Sequence, residues 1–468
     1  MSTSPPERTP ALLAALGMAV CACALEISML FSALPALVKT FGDPGTVFWT
    51  VTIHYLAAAS SVALSGRLGD LYGRRRVLMI VLSVALCGSL LSYFSPSLLG
   101  IIVGRGIQGL SAAAIPLAFG LVREQLPPAR VPSSIGIVAT LAPVTGGIGA
   151  LLGGVLVDQA GWRTIFAVSA GWMALTLVCL ALFVPGRATS SHRRIDILGG
   201  VLLPPAIAAL LLAIEGAKHW GWLHAGTLGL AAASLALLAF WYRHEAAHPD
   251  PLIDVRLLSH RQIGLANLGM ALFGLGALQN TQLLSLLLQQ PVESGAGLGV
   301  SATQVGALFT PFIIVNLVGG PLSGRIAAKH GGRPAALLGM ALAAIGWIAL
   351  ALWHDTLWFV MAMAYLQMLG IAMLFAALPN LVVEIAPPDR TSEATGVLSV
   401  TRQFAASIGT QVLAFTLATS TVSVPGATAH YPTDDAFTLA MAYIAVVSIV
   451  AVFIATRLPK RAAARATS

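Results

Sequence analysis

This sequence has very little charge for its length. Only 9% of its 468 residues are Asp, Glu, Lys or Arg, whereas about a quarter of the residues in an ordinary soluble domain are charged. The hydrophobic share is 57% and the mean hydropathy is +0.85. A chain with so few charged side chains cannot cover its surface toward water. A soluble globular protein is therefore excluded, and a lipid bilayer is implied.

Cysteine and metal-ligating patterns are scarce as well. The four cysteines, Cys21, Cys23, Cys87 and Cys179, lie in apolar segments without a Cys-x-x-Cys or Cys/His spacing. They are therefore expected to pack as small hydrophobic side chains, and no metal site is expected. The sequence also lacks a converging set of nucleophile, acid and metal ligands, so a membrane enzyme is not expected.

The sequence has instead a series of long apolar segments. A helix needs about 20 apolar residues to cross the hydrocarbon core of a bilayer. Segments of that length lie near 11–36, 47–66, 77–95, 98–122, 133–157, 164–185, 196–215, 222–242, 262–289, 302–324, 334–353, 356–383, 393–420 and 436–457. The pattern predicts an all-α integral membrane protein with 14 transmembrane helices and both termini on the same side.

The charges that do occur are distributed asymmetrically. Residues 66–76 read GRLGDLYGRRR and lie between two apolar segments. Basic residues accumulate on the cytoplasmic side of a membrane. With this turn inside, 21 of the 26 Lys and Arg residues fall inside, three outside and two within spans. The basic pI therefore reflects orientation in a cell membrane, with both termini cytoplasmic and no nucleic-acid partner. The preference for arginine over lysine is typical of a GC-rich bacterial genome.

The basic turn has a weak echo in the second half of the chain. Residues 66–75 (GRLGDLYGRR) are similar to residues 324–333 (GRIAAKHGGR), and each segment follows the second span of a group of six. A duplication would place a substrate site between two six-helix bundles near the membrane midplane, although a chance match of two short basic turns would look the same. The expected organisation is a cytoplasmic tail at 1–10, a bundle at 11–185, a linker with two extra transmembrane helices at 186–261, a second bundle at 262–457 and a cytoplasmic tail at 458–468.

Several short motifs resemble those of the major facilitator superfamily. The turn at 66–76 is similar to the signature loop between helices 2 and 3 of that family, and residues 104–109 (GRGIQG) are similar to its R-x-x-Q-G motif in helix 4. Residues 142–147 (APVTGG) resemble the G-P-x-x-G-G motif of antiporters, with alanine in place of the first glycine. Residues 161–163 (GWR), and Leu25-Glu26 followed by Ala-Leu-Pro, are similar to motifs of the fourteen-helix drug:proton antiporter branch, which has aspartate at the position of Glu26. The resemblance implies a 6+6 helix bundle with two additional central helices.

One acidic residue, Glu26, lies deep in a predicted span. A charge there costs at least about 2.5 kcal/mol, so an intramembrane acid is a candidate functional group. By helix rise, Glu26 lies about 13 Å before Pro35 and Arg105 about 10 Å into helix 4, so Glu26, Arg105 and His54 are expected to share one layer. The pattern predicts a proton-coupling cluster, and the resemblance links Arg105 to proton transfer with the acid. The alternatives are a fixed ion pair for Glu26 and a packing role for His54.

Polar and aromatic side chains in other spans are candidates for a substrate pocket. They are Gln108, Gln279, Asn280, Gln282, Phe309, Asn316, Tyr365, Gln367 and Arg402, with Phe273, Phe312 and Phe375 as further walls. A mostly apolar pocket with few polar groups suits lipophilic compounds, and a single deep acid favours neutral or singly charged ones. Intramembrane amides often only bridge helices, so that alternative stays open.

The basic turn is also a candidate conformational latch. Asp70 is expected to cap or pair with the start of helix 3 and with the neighbouring arginines. The latch residues are Gly66, Arg67, Asp70, Gly73, Arg74 and Arg75. Breaking the cluster would shift the equilibrium between inward-open and outward-open states. The alternative is that the turn sets the orientation of the chain and nothing more.

The fifth span combines Pro143 with Gly146 and Gly147. Proline removes a backbone hydrogen bond and bends a helix, and small residues let another helix approach closely. The motif predicts either a seal that prevents leak while the pocket faces inward or ordinary small-residue packing.

Together with the resemblance, these patterns predict a proton-coupled multidrug or antibiotic efflux antiporter that works by alternating access. Its expected partners are a small lipophilic substrate, protons and the lipid bilayer. No cofactor is expected beyond the proton gradient, and a monomer is expected. A proton- or sodium-coupled importer of a small nutrient, or an exporter of an endogenous metabolite, could use the same fold.

Overall fold

The computed structural model of the protein describes residues 9–42, 44–127, 130–185, 197–221, 223–248, 261–385, 391–423 and 430–458. The helices are α1 (Thr9–Phe41), α2 (Pro44–Tyr72), α3 (Arg74–Phe94), α4 (Leu98–Gly109), α5 (Ala114–Gln125), α6 (Val131–Ala160), α7 (Thr164–Phe183), α8 (Ile197–Trp220), α9 (Ala225–Ala247), α10 (Arg261–Leu275), α11 (Asn280–Gln289), α12 (Ala302–Phe309), α13 (Phe312–His330), α14 (Gly332–Leu352), α15 (Leu357–Ile385), α16 (Thr391–Leu417) and α17 (Asp434–Arg457). Three 3-10 turns (Leu110–Ala113, Ala277–Gln279 and Val292–Ser294) and one antiparallel pair of short strands, β1 (Thr421–Ser423) and β2 (His430–Pro432), complete the described elements.

Ten helical segments within the described residues are long and apolar enough to cross a bilayer. Three of them, Leu98–Gln125, Arg261–Gln289 and Ala302–Ala327, contain an irregular turn that joins two shorter helices. Shorter apolar stretches lie at Val144–Ala160 and Val201–Ile214. A multi-pass, all-α membrane protein is therefore confirmed, while the total of fourteen spans stays a prediction.

Side-chain caps define where some of the helices begin. Ser97 accepts a hydrogen bond from the Gly100 N–H (3.3 Å) at the start of α4. Ser301 and Gln304 form a reciprocal capping box at the start of α12. The first N–H groups of a helix have no partner within the helix. By accepting hydrogen bonds from them, these side chains stabilise the first turn of each helix.

The two basic turns that echo each other in sequence share a backbone conformation. The chain passes from α2 to α3 through Gly73 (φ 88°) and from α13 to α14 through Gly331 (φ 86°). A left-handed φ costs a residue with a Cβ roughly 1–2 kcal/mol, which explains glycine at both positions. The same turn therefore occurs at both places in the chain.

The two halves of the chain share a continuous core around the C-terminal part of α1. Apolar residues between 25 and 38 pack there in one buried cluster with side chains of α10 to α17. Around the N-terminal part of α1, residues between 12 and 22 belong to a second cluster, whose described members all come from the first half of the chain. The halves are thus packed together at one end of the helices.

The two helices between the halves, α8 and α9, lie along the seam between α2 and α16. Leu203, Ile207 and Leu211 of α8 belong to a buried cluster with apolar side chains of α2 and α16. Trp241 Nε1 of α9 donates to the Gly199 carbonyl oxygen of α8 (2.9 Å). The pair therefore contacts both halves of the molecule from one side.

Candidate functional site

Glu26 is buried in the middle of α1 and is held by a hydroxyl group. Ser111 Oγ donates to Glu26 Oε2 (3.0 Å), and the other carboxyl oxygen has no hydrogen-bond partner among the described residues. Ser111 belongs to the 3-10 turn between α4 and α5, and this irregular turn brings the hydroxyl toward α1. The sequence pattern did not predict a role for Ser111. The only sequence feature that points to it is its position one helical turn after Gln108.

Arg105 lies in the expected layer and is fixed by two helices. Its Nε donates to the Thr50 carbonyl oxygen of α2 (3.3 Å), and its Nη1 donates to Gln108 Oε1 (2.8 Å). Gln108 Nε2 in turn donates to Ser89 Oγ of α3 (2.6 Å). Arg105 interacts electrostatically with Glu26, and its Nη2 has no hydrogen-bond partner in the described part of the chain. The guanidinium is therefore positioned independently of the acid.

His54 is the third member of this layer. Its Nε2 lies 4.0 Å from Cys23 Sγ, and its ring meets the Tyr55 ring edge-on, with 6.1 Å between centroids. It interacts electrostatically with the Arg105 guanidinium and also contacts the Arg105 backbone. The structure thus gathers Glu26, His54 and Arg105 in one place.

Two of the predicted pocket amides bond to neighbouring backbone. Gln279 Nε2 donates to the Gly274 (2.9 Å) and Ala406 (3.2 Å) carbonyl oxygens, and its Oε1 accepts from Thr410 Oγ1 (3.2 Å). Asn316 Nδ2 donates to a carbonyl oxygen one turn earlier in its own helix (2.8 Å). Gln279 therefore joins α16 to the turn after α10, as a bridging amide does.

Three other amides form a buried polar group. Asn280 of α11 donates to Gln367 Oε1 of α15. Asn280 Oδ1, Gln367 Nε2 and both polar atoms of Gln282 lack a hydrogen-bond partner among the described residues. An unsatisfied buried polar group costs about 1–3 kcal/mol. These amides are therefore the strongest candidates of the second half for contact with a polar ligand.

Three of the predicted aromatic residues form a wall in the second half of the chain. Phe309 stacks on Phe312 with 4.9 Å between ring centroids, and Phe312 meets the Tyr365 ring edge-on at 5.6 Å. The Tyr365 hydroxyl donates to the Leu308 carbonyl oxygen (2.9 Å). The wall joins α12, α13 and α15.

Arg402 extends from α16 toward the first half of the chain. Its Cζ lies 5.2 Å from the centroid of the Phe375 ring, which meets Phe273 edge-on at 5.3 Å. Arg402 interacts electrostatically with Tyr55 of α2 and Cys23 of α1. The guanidinium therefore faces the boundary between the two halves.

The basic turn is tied to the ends of two other helices. Arg74 forms an ion pair with Glu124 of α5 (2.8 Å) and donates to the Gly120 carbonyl oxygen (3.1 Å). Arg75 Nη2 donates to the Ala181 carbonyl oxygen of α7 (3.1 Å). The sequence pattern did not predict Glu124, because it lies near the end of another span and belongs to no motif.

The remaining latch residues lie at the end of α2. These residues are Gly66, Arg67 and Asp70. Their side-chain surroundings are outside the described part of the structure. The pairing of Asp70 therefore stays a prediction.

The glycines of the fifth span lie where helices from both halves approach α6. Ser28 Oγ of α1 donates to the Gly146 carbonyl oxygen. A Cβ at Gly147 would collide with the Ile313 side chain of α13. Pro143 lies within α6, and its side chain is outside the described residues. Close packing thus occurs on two sides of this helix.

Polar contacts also join the two halves of the chain. Gln411 Nε2 of α16 donates to Thr52 Oγ1 of α2 (2.9 Å). The Thr303 N–H at the start of α12 donates to Asp158 Oδ2 at the end of α6 (2.7 Å). The Asp158–Thr303 contact lies at the same end of the helices as the C-terminal part of α1. The Gln411–Thr52 contact lies at the level of Arg105, whose Nε bonds to the Thr50 carbonyl oxygen.

Glu26 is not the only buried acid among the described residues. Glu245 is also buried, two residues before the end of α9. The charged residues around it suggested a polar loop, but α9 continues to Ala247. Unlike Glu245, Glu26 lies in the middle of a helix.

Known proteins resemble this chain over most of its length. A family model described as Major Facilitator Superfamily matches residues 16–197 and 186–410. A multidrug resistance protein of Mycobacterium tuberculosis is 29% identical over 419 residues, 87% of this chain and 75% of the relative. A tetracenomycin C resistance and export protein of Streptomyces glaucescens is 29% identical over 417 residues, again 87% and 75%. A cephamycin export protein of Amycolatopsis lactamdurans is 30% identical over 423 residues, 88% and 85%.

Solved structures share the fold at low sequence identity. A peptide transporter with bound sulfate superposes with a TM-score of 0.68 at 15% identity, covering 96% of this chain and 95% of that chain. A nucleoside transporter gives a TM-score of 0.66 at 12% identity, covering 96% and 99%. This likeness concerns the fold alone.

Proposed function

Because this chain belongs to the major facilitator superfamily, we propose that it exports drugs through alternating access and is driven by the proton gradient. Relatives that cover most of the chain are named for multidrug resistance, tetracenomycin C export and cephamycin export. The structural observation that carries the proton coupling is Glu26, a carboxyl group in the middle of α1 with one oxygen unpartnered among the described residues, in electrostatic range of Arg105.

We assign different roles to the two charged groups. Arg105 keeps its proton in practice, so it is a constant positive charge. Glu26 can gain and lose a proton, and only its ionised form is attracted to Arg105. Protonation therefore changes the interaction between α1 and α4, and a difference in that interaction between the two access states couples the proton to the conformational change.

The neighbours of Arg105 complete the coupling site. Gln108 uses both of its polar groups on Arg105 and Ser89, so we assign it the positioning of Arg105 in place of direct contact with cargo. We propose that His54, which lies against Arg105 in the same layer, takes part in this site.

The cargo site that we propose lies between the two halves. It is formed by the unsatisfied amides of Asn280, Gln282 and Gln367, by the aromatic wall of Phe309 and Tyr365, and by Arg402. We place Gln279 and Asn316 in the frame of this site, because their amides bond to backbone.

Finer assignments follow as part of this proposal. The chain is a member of the fourteen-helix drug:proton antiporter branch, with six-helix bundles at 11–185 and 262–457 and both termini cytoplasmic. It works as a monomer in a bacterial cell membrane. The latch at the basic turn and the packing of α6 control which side of the cargo site is open.

Dye-driven proton movement in everted membrane vesicles tests the coupling. Respiration acidifies the lumen, and the quenching of a pH-sensitive acridine dye reports the gradient. We expect at least one of fluorescein, Nile red and rhodamine 123 to release lumenal protons as it is taken up. Release should fall to the background in Glu26→Gln and persist in Glu293→Gln, because Glu293 is exposed.

Two results would contradict the proposal. Unchanged proton release in Glu26→Gln would show that the coupling residue is assigned wrongly. An importer would instead carry dye out of preloaded vesicles together with protons.

A further inference from the structure

Arg402 is a cation without a counter-charge near the middle of α16. No described residue forms an ion pair or a hydrogen bond with its guanidinium, and its recorded contact is the face of the Phe375 ring. Arg105, by comparison, bonds to Thr50 and Gln108. A charge at membrane depth is costly unless it faces a partner or a water-filled space. Arg402 therefore has donors available for a ligand.

Arg402 lies at the boundary between the halves. The side chains with which it interacts, Tyr55 and Cys23, lie near the middle of α2 and α1, and all three residues are only partly buried. Nine residues further along α16, about 13 Å, Gln411 bonds to Thr52 and joins the halves. The three side chains are thus partly exposed at the boundary between the halves, and we refer to this region as the gap.

We infer that this gap binds cargo that carries an anionic oxygen, such as a carboxylate or phenolate, on an apolar body, and that Arg402 selects that charge. The inference rests on the proposed export function and names its substrate class. A guanidinium presents a planar set of donors that matches a carboxylate. The Phe375 and Tyr55 rings offer aromatic surface to the apolar body.

The cargo charge and the coupling proton are assigned to different side chains that share neighbours. Glu26 interacts electrostatically with Arg105, and Arg402 interacts with Tyr55 and Cys23, while Cys23 also interacts with Glu26 and Tyr55 also interacts with Arg105. An anion at Arg402 therefore does not compete with the proton for one carboxyl group, and their coupling acts through the equilibrium between access states. A cationic cargo in this region would lie near two arginines and one acid among the described residues.

Two dyes with the same xanthene core and opposite charge test the inference. Fluorescein is anionic and rhodamine 123 is cationic, and fluorescence anisotropy reports their binding to the full-length protein in lipid nanodiscs without a proton gradient. We expect the native protein to prefer fluorescein. Arg402→Gln should weaken fluorescein binding roughly tenfold or more and leave rhodamine 123 binding equal or stronger.

Control variants separate charge selection from packing. Arg402→Lys keeps the charge but lacks the planar donor set, so it should bind fluorescein more tightly than Arg402→Gln does. Arg457→Gln should change nothing, because Arg457 also lies over a phenylalanine ring (4.9 Å from the Phe453 centroid) but at the end of α17. Thermal unfolding of each variant shows that it is folded.

Two outcomes would overturn the inference. The first is that the native protein prefers rhodamine 123, which is measured without any variant. The second is that Arg402→Gln binds fluorescein as tightly as the native protein. Glu26→Gln should keep the fluorescein preference while losing proton release. A protein that selects fluorescein without any dye-driven proton release would refute the proposed coupling and leave the charge selection intact.

Discussion

At the scale of single residues, neutral polar groups hold the charged side chains of the coupling layer in place. Ser111 bonds to Glu26, while Thr50 and Gln108 bond to Arg105. Each charge is thus positioned by its own partners, and the two charges act on each other without direct contact. This arrangement lets the acid change its protonation while the guanidinium stays fixed.

Replacing Ser111 by alanine removes the hydrogen bond that the structure gives to Glu26. A hydrogen bond to a charged group contributes about 1.5–3 kcal/mol, so dye-driven proton release should fall roughly tenfold or more. Fluorescein binding should be unchanged, because Arg402 is untouched. Vesicle fluorescence and anisotropy measure the two quantities.

Ser448→Ala is the matched control for this change. Ser448 is also buried within a helix, and its Oγ has no hydrogen-bond partner among the described residues. An equal loss of proton release in both variants would mean that Ser111 has no particular role at Glu26.

At the scale of elements, the start of α3 is anchored to neighbouring helices by its own arginines. Gly73 provides the left-handed turn, after which Arg74 reaches α5 and Arg75 reaches α7. The turn therefore joins the ends of three helices in the first half of the chain. A rigid connection of this kind transmits a tilt of one helix to the others.

A double-mutant cycle on Arg74 and Glu124 measures that connection. The two side chains are 27% and 22% exposed, so solvent screens the pair and we expect a coupling of about 0.5–1 kcal/mol in the free energy of unfolding. Arg74→Ala, Glu124→Ala and the double variant are compared by detergent denaturation.

The cycle of Arg75→Ala with Glu124→Ala serves as its control. Arg75 bonds to a backbone carbonyl of α7, so its effect should add to that of Glu124. Additive effects in the first cycle would show that the Arg74–Glu124 pair does not stabilise the turn.

At the scale of the whole molecule, the two halves are packed together at one end of the helices. The shared core and the Asp158–Thr303 bond lie at that end, and the Gln411–Thr52 bond joins the halves at the level of Arg105. With the orientation predicted from the basic residues, this end faces the outside. We therefore interpret the structure as the inward-facing state of an alternating-access cycle.

Gly306 allows α12 to approach α6 at the closed end. A Cβ at this position would lie 2.6 Å from the Ala150 carbonyl oxygen and 2.6 Å from Leu151 Cα. Gly306→Val is therefore incompatible with this packing and should shift the protein toward a state in which the two helices separate.

Spin labels at positions 159 and 293, in a background without native cysteines, measure this shift by double electron–electron resonance. We expect a longer distance distribution in Gly306→Val and an unchanged one in Gly320→Val, because a Cβ at Gly320 has no neighbour within 4 Å. An unchanged distribution in Gly306→Val would argue against closure through this contact.

The sequence by itself determined those features that depend on composition and on short spacings. The scarcity of charge requires a membrane, whatever the order of the helices. The Arg105–Gln108 pair follows from an i, i+3 spacing on one helix face, and it is present at 2.8 Å. Glycine at 73 and 331 indicates a tight turn, because only glycine adopts that backbone conformation without strain.

The tertiary structure alone decided which distant groups meet. Ser111 and Glu26 are 85 positions apart, Glu124 is in no motif, and Gln279 bonds to backbone although it looked like a ligand of cargo. The direction in which Arg402 points depends on the rotation of α16 against α2. An almost uniformly apolar helix has no sequence periodicity that indicates this rotation, so it is determined by the packing of the neighbouring helices.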